Sequence, residues 1–181
     1  TRSMASMKHV GLNVASDPLY TCAYSGVNGG LVVVVADDPG IYSSQNEQDT
    51  RMVARAAMVP VIEPSDSEEA RKFTKLAFEY SEKYDTPVIL RTTTRLSHSQ
   101  GVVNPEDRVC PEDKVYEHNF AKNVMMPMNA KKRHIFVEER LKKMAEDACH
   151  MEINTVSYND TSIGVITSGI AYQYVKEALP E

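Results

Sequence analysis

Apolar positions fall in short blocks separated by polar turns, and the blocks differ in period. Leu31-Val32-Val33-Val34-Val35-Ala36 is a continuous, largely β-branched run without alternation, the pattern of a strand covered on both faces. Val59 to Ile62, and Val88-Ile89-Leu90 continuing toward Thr94, are two further short runs of this kind. Between them Ala70, Phe73, Leu76, Ala77, Tyr80 and Tyr84 recur at helical spacing behind Ser65-Asp66-Ser67-Glu68. That tetrapeptide has the spacing of a capping box, and Asp85-Thr86-Pro87 ends the helix. A second box, Ser44-Gln45-Asn46-Glu47, predicts a helix running to about Ala57.

At the start of the chain, Lys8 to Val14 reads as a strand, with Thr1 to Ser6 as the tail of a preceding helix. Asp17 as cap and Pro18 at the first helical position then open a helix that Gly26 and Gly29-Gly30 close. Strand and helix alternate through residue 95, which predicts an α/β fold: a parallel sheet flanked by helices.

Beyond Arg95 the pattern dissolves, and Pro105, Pro111 and Pro127 punctuate a polar stretch that reads as a connection laid along a surface. Lys131 to Ala148 resumes as a helix with Val137, Leu141, Met144, Ala145 and Ala148 on one face and its Lys and Arg residues solvated. Ile163-Gly164-Val165-Ile166-Thr167, the turn Ser168-Gly169 and residues 170–179 predict one strand, turn and helix. A lone βα unit cannot bury its own apolar faces, so this end reads as the opening of a second α/β domain. With Thr1 in place of Met, the expectation is a piece of a longer polypeptide.

Charge narrows the classes. Against 25 Asp+Glu stand 20 Lys+Arg, a net charge of −5, and no basic excess exists to displace counterions from nucleic acid. No stretch approaches the ~20 apolar residues of a membrane span, and no signal-peptide pattern opens the chain, so the expected location is cytoplasmic. Cys22, Cys110 and Cys149 are too few and too scattered for a disulfide framework. Cys149-His150 lacks the second pair that a metal site requires, and no metal ligand is expected.

Ligands of open parallel sheets sit at the carboxyl ends of strands, which directs attention to two turns. The first, Lys8-His9-Val10-Gly11-Leu12-Asn13, offers Lys8, His9 and Asn13 as polar contacts and Gly11 for close backbone approach. The alternative is a buried histidine with a glycine at a helix crossing. The second, residues 37–49, is dense in short polar side chains: Ser43, Ser44, Gln45, Asn46 and Gln48 lead into a helix whose amides would face an anion or cofactor. Ordinary turn chemistry accounts for the same residues. Walker, GxGxxG, GxSxG and HExxH patterns do not occur.

Five motifs occur together: Met7-Lys8-His9-Val10-Gly11-Leu12-Asn13-Val14, residues 29–39, residues 43–49, Glu63-Pro64-Ser65-Asp66 and Leu90-Arg91-Thr92-Thr93-Thr94-Arg95. With Lys132-Arg133-His134 and the closing residues 163–176, they resemble, in order, the alpha subunit of indolepyruvate ferredoxin oxidoreductase, a thiamine-diphosphate-dependent 2-oxoacid:ferredoxin oxidoreductase. The resemblance implies decarboxylation of aryl pyruvates such as indolepyruvate to the acyl-CoA, with electrons passing through iron–sulfur clusters to ferredoxin. Thiamine diphosphate with Mg2+ carries the carbanion chemistry. It also implies a beta subunit, coenzyme A and self-association.

On the family map residues 1–95 are most of the pyrimidine-binding domain, 96–160 a connector with one helix, and 161–181 the beginning of a transketolase C-terminal-like domain. The family glutamate that activates the aminopyrimidine would lie upstream of Lys8, and neither Glu47 nor Glu63 takes its place. Ligands for Mg2+, diphosphate and clusters would also lie outside. The chain alone is therefore expected to be inactive and to bind no cofactor tightly. Related enzymes carry an arginine near the substrate carboxylate where Asp38 falls here, which leaves Lys8, His9 or another domain to supply the positive charge. The alternative reading is a noncatalytic α/β binding or assembly module on the same scaffold.

Overall fold

The computed structural model describes residues 1–112, 114–158 and 161–179. Strands β1 (Ser3–Lys8), β2 (Leu31–Asp37), β3 (Val61–Ile62) and β4 (Val88–Thr93) form a parallel sheet in the order β1-β2-β4-β3. The register sets Val33 beside Ala5 on one side and Ile89 on the other. Successive side chains of a strand face opposite ways, so the valine run of β2 serves two cores.

Helices α1 (His9–Val14), α2 (Ser16–Ser25) and α3 (Thr50–Ala57) cover one face, where Leu12, Leu19, Ala23 and Ala54 pack on Val33, Val35 and Ile89. On the other face α4 (Ser67–Tyr84) and α7 (Pro127–Ala148) bring Phe73, Ala77, Tyr80 and Met144 against Val32, Val88 and Leu90. Burial of each large aliphatic side chain contributes about 1.5–3 kcal/mol. The predicted α/β architecture is thus the one observed. The short helices α5 (Thr94–His98) and α6 (Phe120–Asn123), and then α8 (Ala171–Ala178), complete the described elements.

Several boundaries differ from the sequence expectation. The first strand is Ser3–Lys8, and the expected strand from Lys8 to Val14 is instead helix α1. Its buried residues, His9 and Leu12, are three apart, a helical interval. β1 gave no apolar signal because it is an exposed edge strand. Helix α2 has Ala15 as its N-cap, without a side-chain cap, and Asp17 lies in the first turn. Helix α3 begins only at Thr50, where the Asp49 carboxylate accepts the Arg51 amide. In α4 the cap is Asp66, which accepts from the Glu69 amide at 2.8 Å, while Glu69 reaches back to the Ser65 amide at 2.7 Å. That box lies one residue later than predicted.

No strand forms at residues 163–167, where Ile163, Val165 and Ile166 are exposed and no neighbouring strand among the described residues supplies backbone partners. The expected boundary between connector and second domain lies between residues 160 and 161, and residues 159–160 are outside the described residues. Ser168 and Gln173 reach back to the first layer, to Glu63 at 2.6 Å and Ser65 at 3.0 Å.

The cationic face expected of α7 is only partly solvated. Arg140 is buried among residues at the amino ends of the strands, donating to the Ala23 and Asp85 carbonyls at 2.9 Å each. These carbonyls belong to the last turn of α2 and the C-cap of α4, where a cation also favours the helix dipoles. Burial, with the nearby Arg133 charge, pulls the Arg140 guanidinium down to about 10. Arg133 and Lys122 pair with the Asp85 carboxylate at 2.6 and 2.8 Å. α7 is therefore fastened across the base of the sheet, leaving the carboxyl ends of the strands to the loops described next.

Candidate functional site

β2 ends in two buried carboxylates with divergent tasks. Asp37 turns toward α3 and β4, accepting from the Thr50 amide at 3.0 Å, the Thr50 hydroxyl at 2.5 Å and Arg91 Nε at 2.6 Å. Asp38 organises the loop that follows. It accepts from the hydroxyls of Ser44 at 2.6 Å and Thr94 at 2.7 Å, and from the amides of Ser43 at 2.9 Å and Tyr42 at 3.2 Å. The Ser44 hydroxyl first, then the Thr94 hydroxyl and the Ser43 amide, hold its carboxyl well below the ordinary range. Pro39 and Gly40 turn the chain between Asp38 and Ile41, Gly40 at φ 83°, the geometry of a type II turn. Glu47, predicted to cap a helix, instead accepts the Gly40 amide at 3.0 Å.

Lys8 and His9, at the carboxyl end of β1, meet this loop. Lys8 Nζ donates to the Ser43 carbonyl at 3.2 Å and its hydroxyl at 3.4 Å, stands 3.9 Å from Asp38, and remains 38% exposed in its side chain. His9 Nε2 lies 3.2 Å from the Asn46 carbonyl. Because a carbonyl only accepts, Nε2 carries the proton, and Nδ1 is buried without a partner among the described residues. Gln48 Nε2 donates to Asn46 Oδ1 at 2.8 Å.

The structure thus brings together Lys8, His9, Ser43, Ser44, Asn46 and Gln48. Gln45 is exposed on the same loop, whereas Asn13 is exposed on α1, away from these contacts. Gly11 has a packing role, since a Cβ there would come within 3.1 Å of the Met7 Cβ. The place of Asp38 also changes its meaning: its carboxylate is turned inward and saturated, so the group facing outward beside Ser43 is the Lys8 ammonium.

A cleft of about 560 Å3 adjoins this loop at the ends of β3 and β4, lined by Arg51, Glu63, Arg91, Thr93, Ser168 and Ile170 among others. Its floor alternates in charge. Arg91 bonds Glu63 at 2.8 Å as well as Asp37, Arg51 pairs with Asp49 at 2.8 Å and approaches Glu63 to 3.8 Å, and Ser168 donates to Glu63 at 2.6 Å. Arg91 and Glu63 stand in the sequence within the family motifs but are not among the candidate site residues. A signal was present, an arginine directly following the apolar Val88-Ile89-Leu90 run of β4. Among the described residues no group of three or more His, Cys, Asp or Glu is placed to hold a metal ion, and no helix is long and apolar enough to cross a membrane.

No family model and no solved structure matches the chain. Curated sequences do. The chain is 46% identical over 182 residues to the indolepyruvate oxidoreductase subunit IorA of Archaeoglobus fulgidus, covering 98% of this chain and 29% of that protein. It is 48% identical over 190 residues to the IorA of Pyrococcus horikoshii, with 98% and 28% covered, and 45% over 181 residues to that of Methanothermobacter thermautotrophicus, with 98% and 29% covered. Over the segment it spans, the chain is similar to these IorA subunits. It represents less than a third of the length of these relatives, each named as a subunit of an oxidoreductase. The site at the sheet's carboxyl ends, with the loop formed by residues 38–48, lies within the segment that is similar to IorA.

Proposed function

We propose that this chain forms the cofactor-facing α/β layer, the pyrimidine-binding domain, of an enzyme that oxidatively decarboxylates aryl pyruvates such as indolepyruvate. The products are the acyl-CoA and reduced ferredoxin, with a beta subunit as partner and iron–sulfur clusters carrying the electrons. The observation that carries this reading is the 45–48% identity to IorA subunits across 98% of the chain. Convergence of Lys8, His9, Ser43 and Asn46 at the carboxyl ends of the strands supports it, because that is where open parallel sheets hold ligands.

The residues fit one end of thiamine diphosphate. His9 Nδ1 is buried without a partner among the described residues, and Ser43, Asn46 and Gln48 add neutral donors and acceptors, a set suited to an aminopyrimidine. Mg2+ takes oxygen ligands such as carboxylates, and no group of three or more His, Cys, Asp or Glu among the described residues is placed to hold it, so this reading assigns the Mg2+ and diphosphate end to another part of the enzyme. When bound, the cofactor supplies the carbanion-stabilising chemistry.

The chain's own groups have simpler tasks. Lys8 offers a partly exposed ammonium to the carboxylate of a 2-oxo acid. His9, through Nε2, holds the Asn46 carbonyl and with it the middle of the loop. Asp38 fixes the loop from beneath, so its polar edge does not reorganise when substrate arrives. The test is indolepyruvate-dependent, coenzyme-A-dependent reduction of ferredoxin by the intact two-subunit enzyme. Absence of turnover with every aryl pyruvate would favour a noncatalytic assembly module.

A further inference from the structure

Ile41 is held at φ 53°, in the left-handed region. For a β-branched residue that conformation is a strained outlier, and glycine or asparagine would relieve it. Core packing does not account for the side chain, because Ile41 is 48% exposed and its neighbour Tyr42 is 60% exposed. The backbone around them is nevertheless fixed. Asp38 takes the amides of Tyr42 and Ser43, its carbonyl takes that of Ile41, and Glu47 takes that of Gly40. Tyr42 is fastened at its tip as well. Arg95 Nη2 donates to its hydroxyl at 2.7 Å, and the guanidinium lies 5.2 Å from the ring centroid. An aliphatic and an aromatic side chain are thus carried out of the core on a fixed stretch of backbone.

Position along the loop supplies the second part. Ser43 follows Tyr42 directly, and its carbonyl and hydroxyl receive Lys8 Nζ at 3.2 and 3.4 Å. Consecutive Cα atoms are only ~3.8 Å apart, so the backbone that carries the apolar pair adjoins the residue that receives the cation. An aryl pyruvate has the same two ends, a ring and a carboxylate separated by two carbons.

We propose that Ile41 and Tyr42 form the wall on which the aryl ring of the 2-oxo acid packs while its carboxylate faces Lys8, so that this pair sets the preference for aromatic over small aliphatic substrates. The proposal rests on the aryl-pyruvate reading above. It also gives the strain at Ile41 a purpose, since glycine would ease the backbone but remove the surface.

The experiment compares kcat/KM for indolepyruvate and for pyruvate in the intact enzyme carrying Ile41→Gly, Tyr42→Ala or Tyr42→Phe. The expected result is a fall of about tenfold or more in the aryl-to-alkyl ratio for Ile41→Gly and Tyr42→Ala, the scale of apolar-pocket discrimination. Tyr42→Phe, which keeps the ring, should retain most of the ratio, and Ile41→Gly should melt no lower than the wild type. Wild-type turnover of indolepyruvate with an unchanged ratio in both Ile41→Gly and Tyr42→Ala would overturn this proposal alone. A wild-type enzyme inactive toward all aryl pyruvates would overturn the underlying reading and the proposal with it.

Discussion

Arg91 on β4 donates Nε to Asp37 on the neighbouring strand β2 at 2.6 Å, with both residues buried. Their side chains leave the same face of the sheet, because Arg91 pairs in register with Val35, two residues before Asp37. The pair joins the ends of two central strands to α3 through Thr50 and to the cleft through Glu63.

Removing one member leaves a buried charge uncompensated. Arg91→Ala should destabilise the fold by about 3–5 kcal/mol, measured by denaturant unfolding. Adding Asp37→Asn to that variant should restore part of the loss, and simple additivity in a double-mutant cycle would contradict direct coupling.

Asp38 offers a test of loop order rather than of global stability. In Asp38→Ala the amides of Tyr42 and Ser43 lose their acceptor, so hydrogen exchange at these positions should accelerate by an order of magnitude or more while the strand interiors remain protected. Exchange rising equally throughout the sheet would assign Asp38 to the core instead.

At the base of the sheet, Arg140→Met keeps much of the side-chain volume but leaves the Ala23 and Asp85 carbonyls without the guanidinium. A loss of about 2–4 kcal/mol is expected, together with faster exchange in the last turns of α2 and α4. An unchanged melting temperature would mean that water satisfies these carbonyls equally well.

Acid stability should report Glu82. The Arg2 side chain first, then the Gly30 amide and Lys114, hold its carboxyl at about 2 in the folded chain, against 4.5 ordinarily. A carboxylate with a lowered folded value contributes stability that is fully present above 4.5 and is lost as pH falls toward 2. Glu82→Gln should therefore cost on the order of 1 kcal/mol at neutral pH, with the gap to wild type narrowing between about pH 4.5 and pH 2. A constant gap across that window would remove Glu82 from the account.

What the sequence disclosed followed from local signals. The apolar run of β2 and the helical period of α4 were legible because each is a continuous pattern with a buried face. β1 was not, since an exposed edge strand of Ser, Met and Ala carries no alternation, and the buried pair His9 and Leu12 drew the strand assignment onto a helix. Ser44 and Glu47 had the spacing of a cap, yet the buried Asp38 carboxylate draws the Ser44 hydroxyl away. Arg140 lies three residues after Val137 and four before Met144, so the helical period already placed it on the buried face. Treating its charge as solvated hid it. In the site, Lys8, His9, Ser43 and Asn46 were visible as turn chemistry, whereas Arg91 with Glu63 joins residues 28 apart in sequence and emerges only when the strands are side by side.

The central claim is that the Lys8 edge of the loop faces the substrate. Lys8→Ala in the intact enzyme tests it most directly, with KM and kcat for indolepyruvate measured beside the melting temperature. The account predicts a KM raised about tenfold or more, since a charge-assisted contact contributes about 1.5–3 kcal/mol, with the melting temperature held within a degree or two. A lowered melting temperature with unchanged KM and kcat in the folded enzyme would contradict it, and Lys8 would then serve only to tether Ser43.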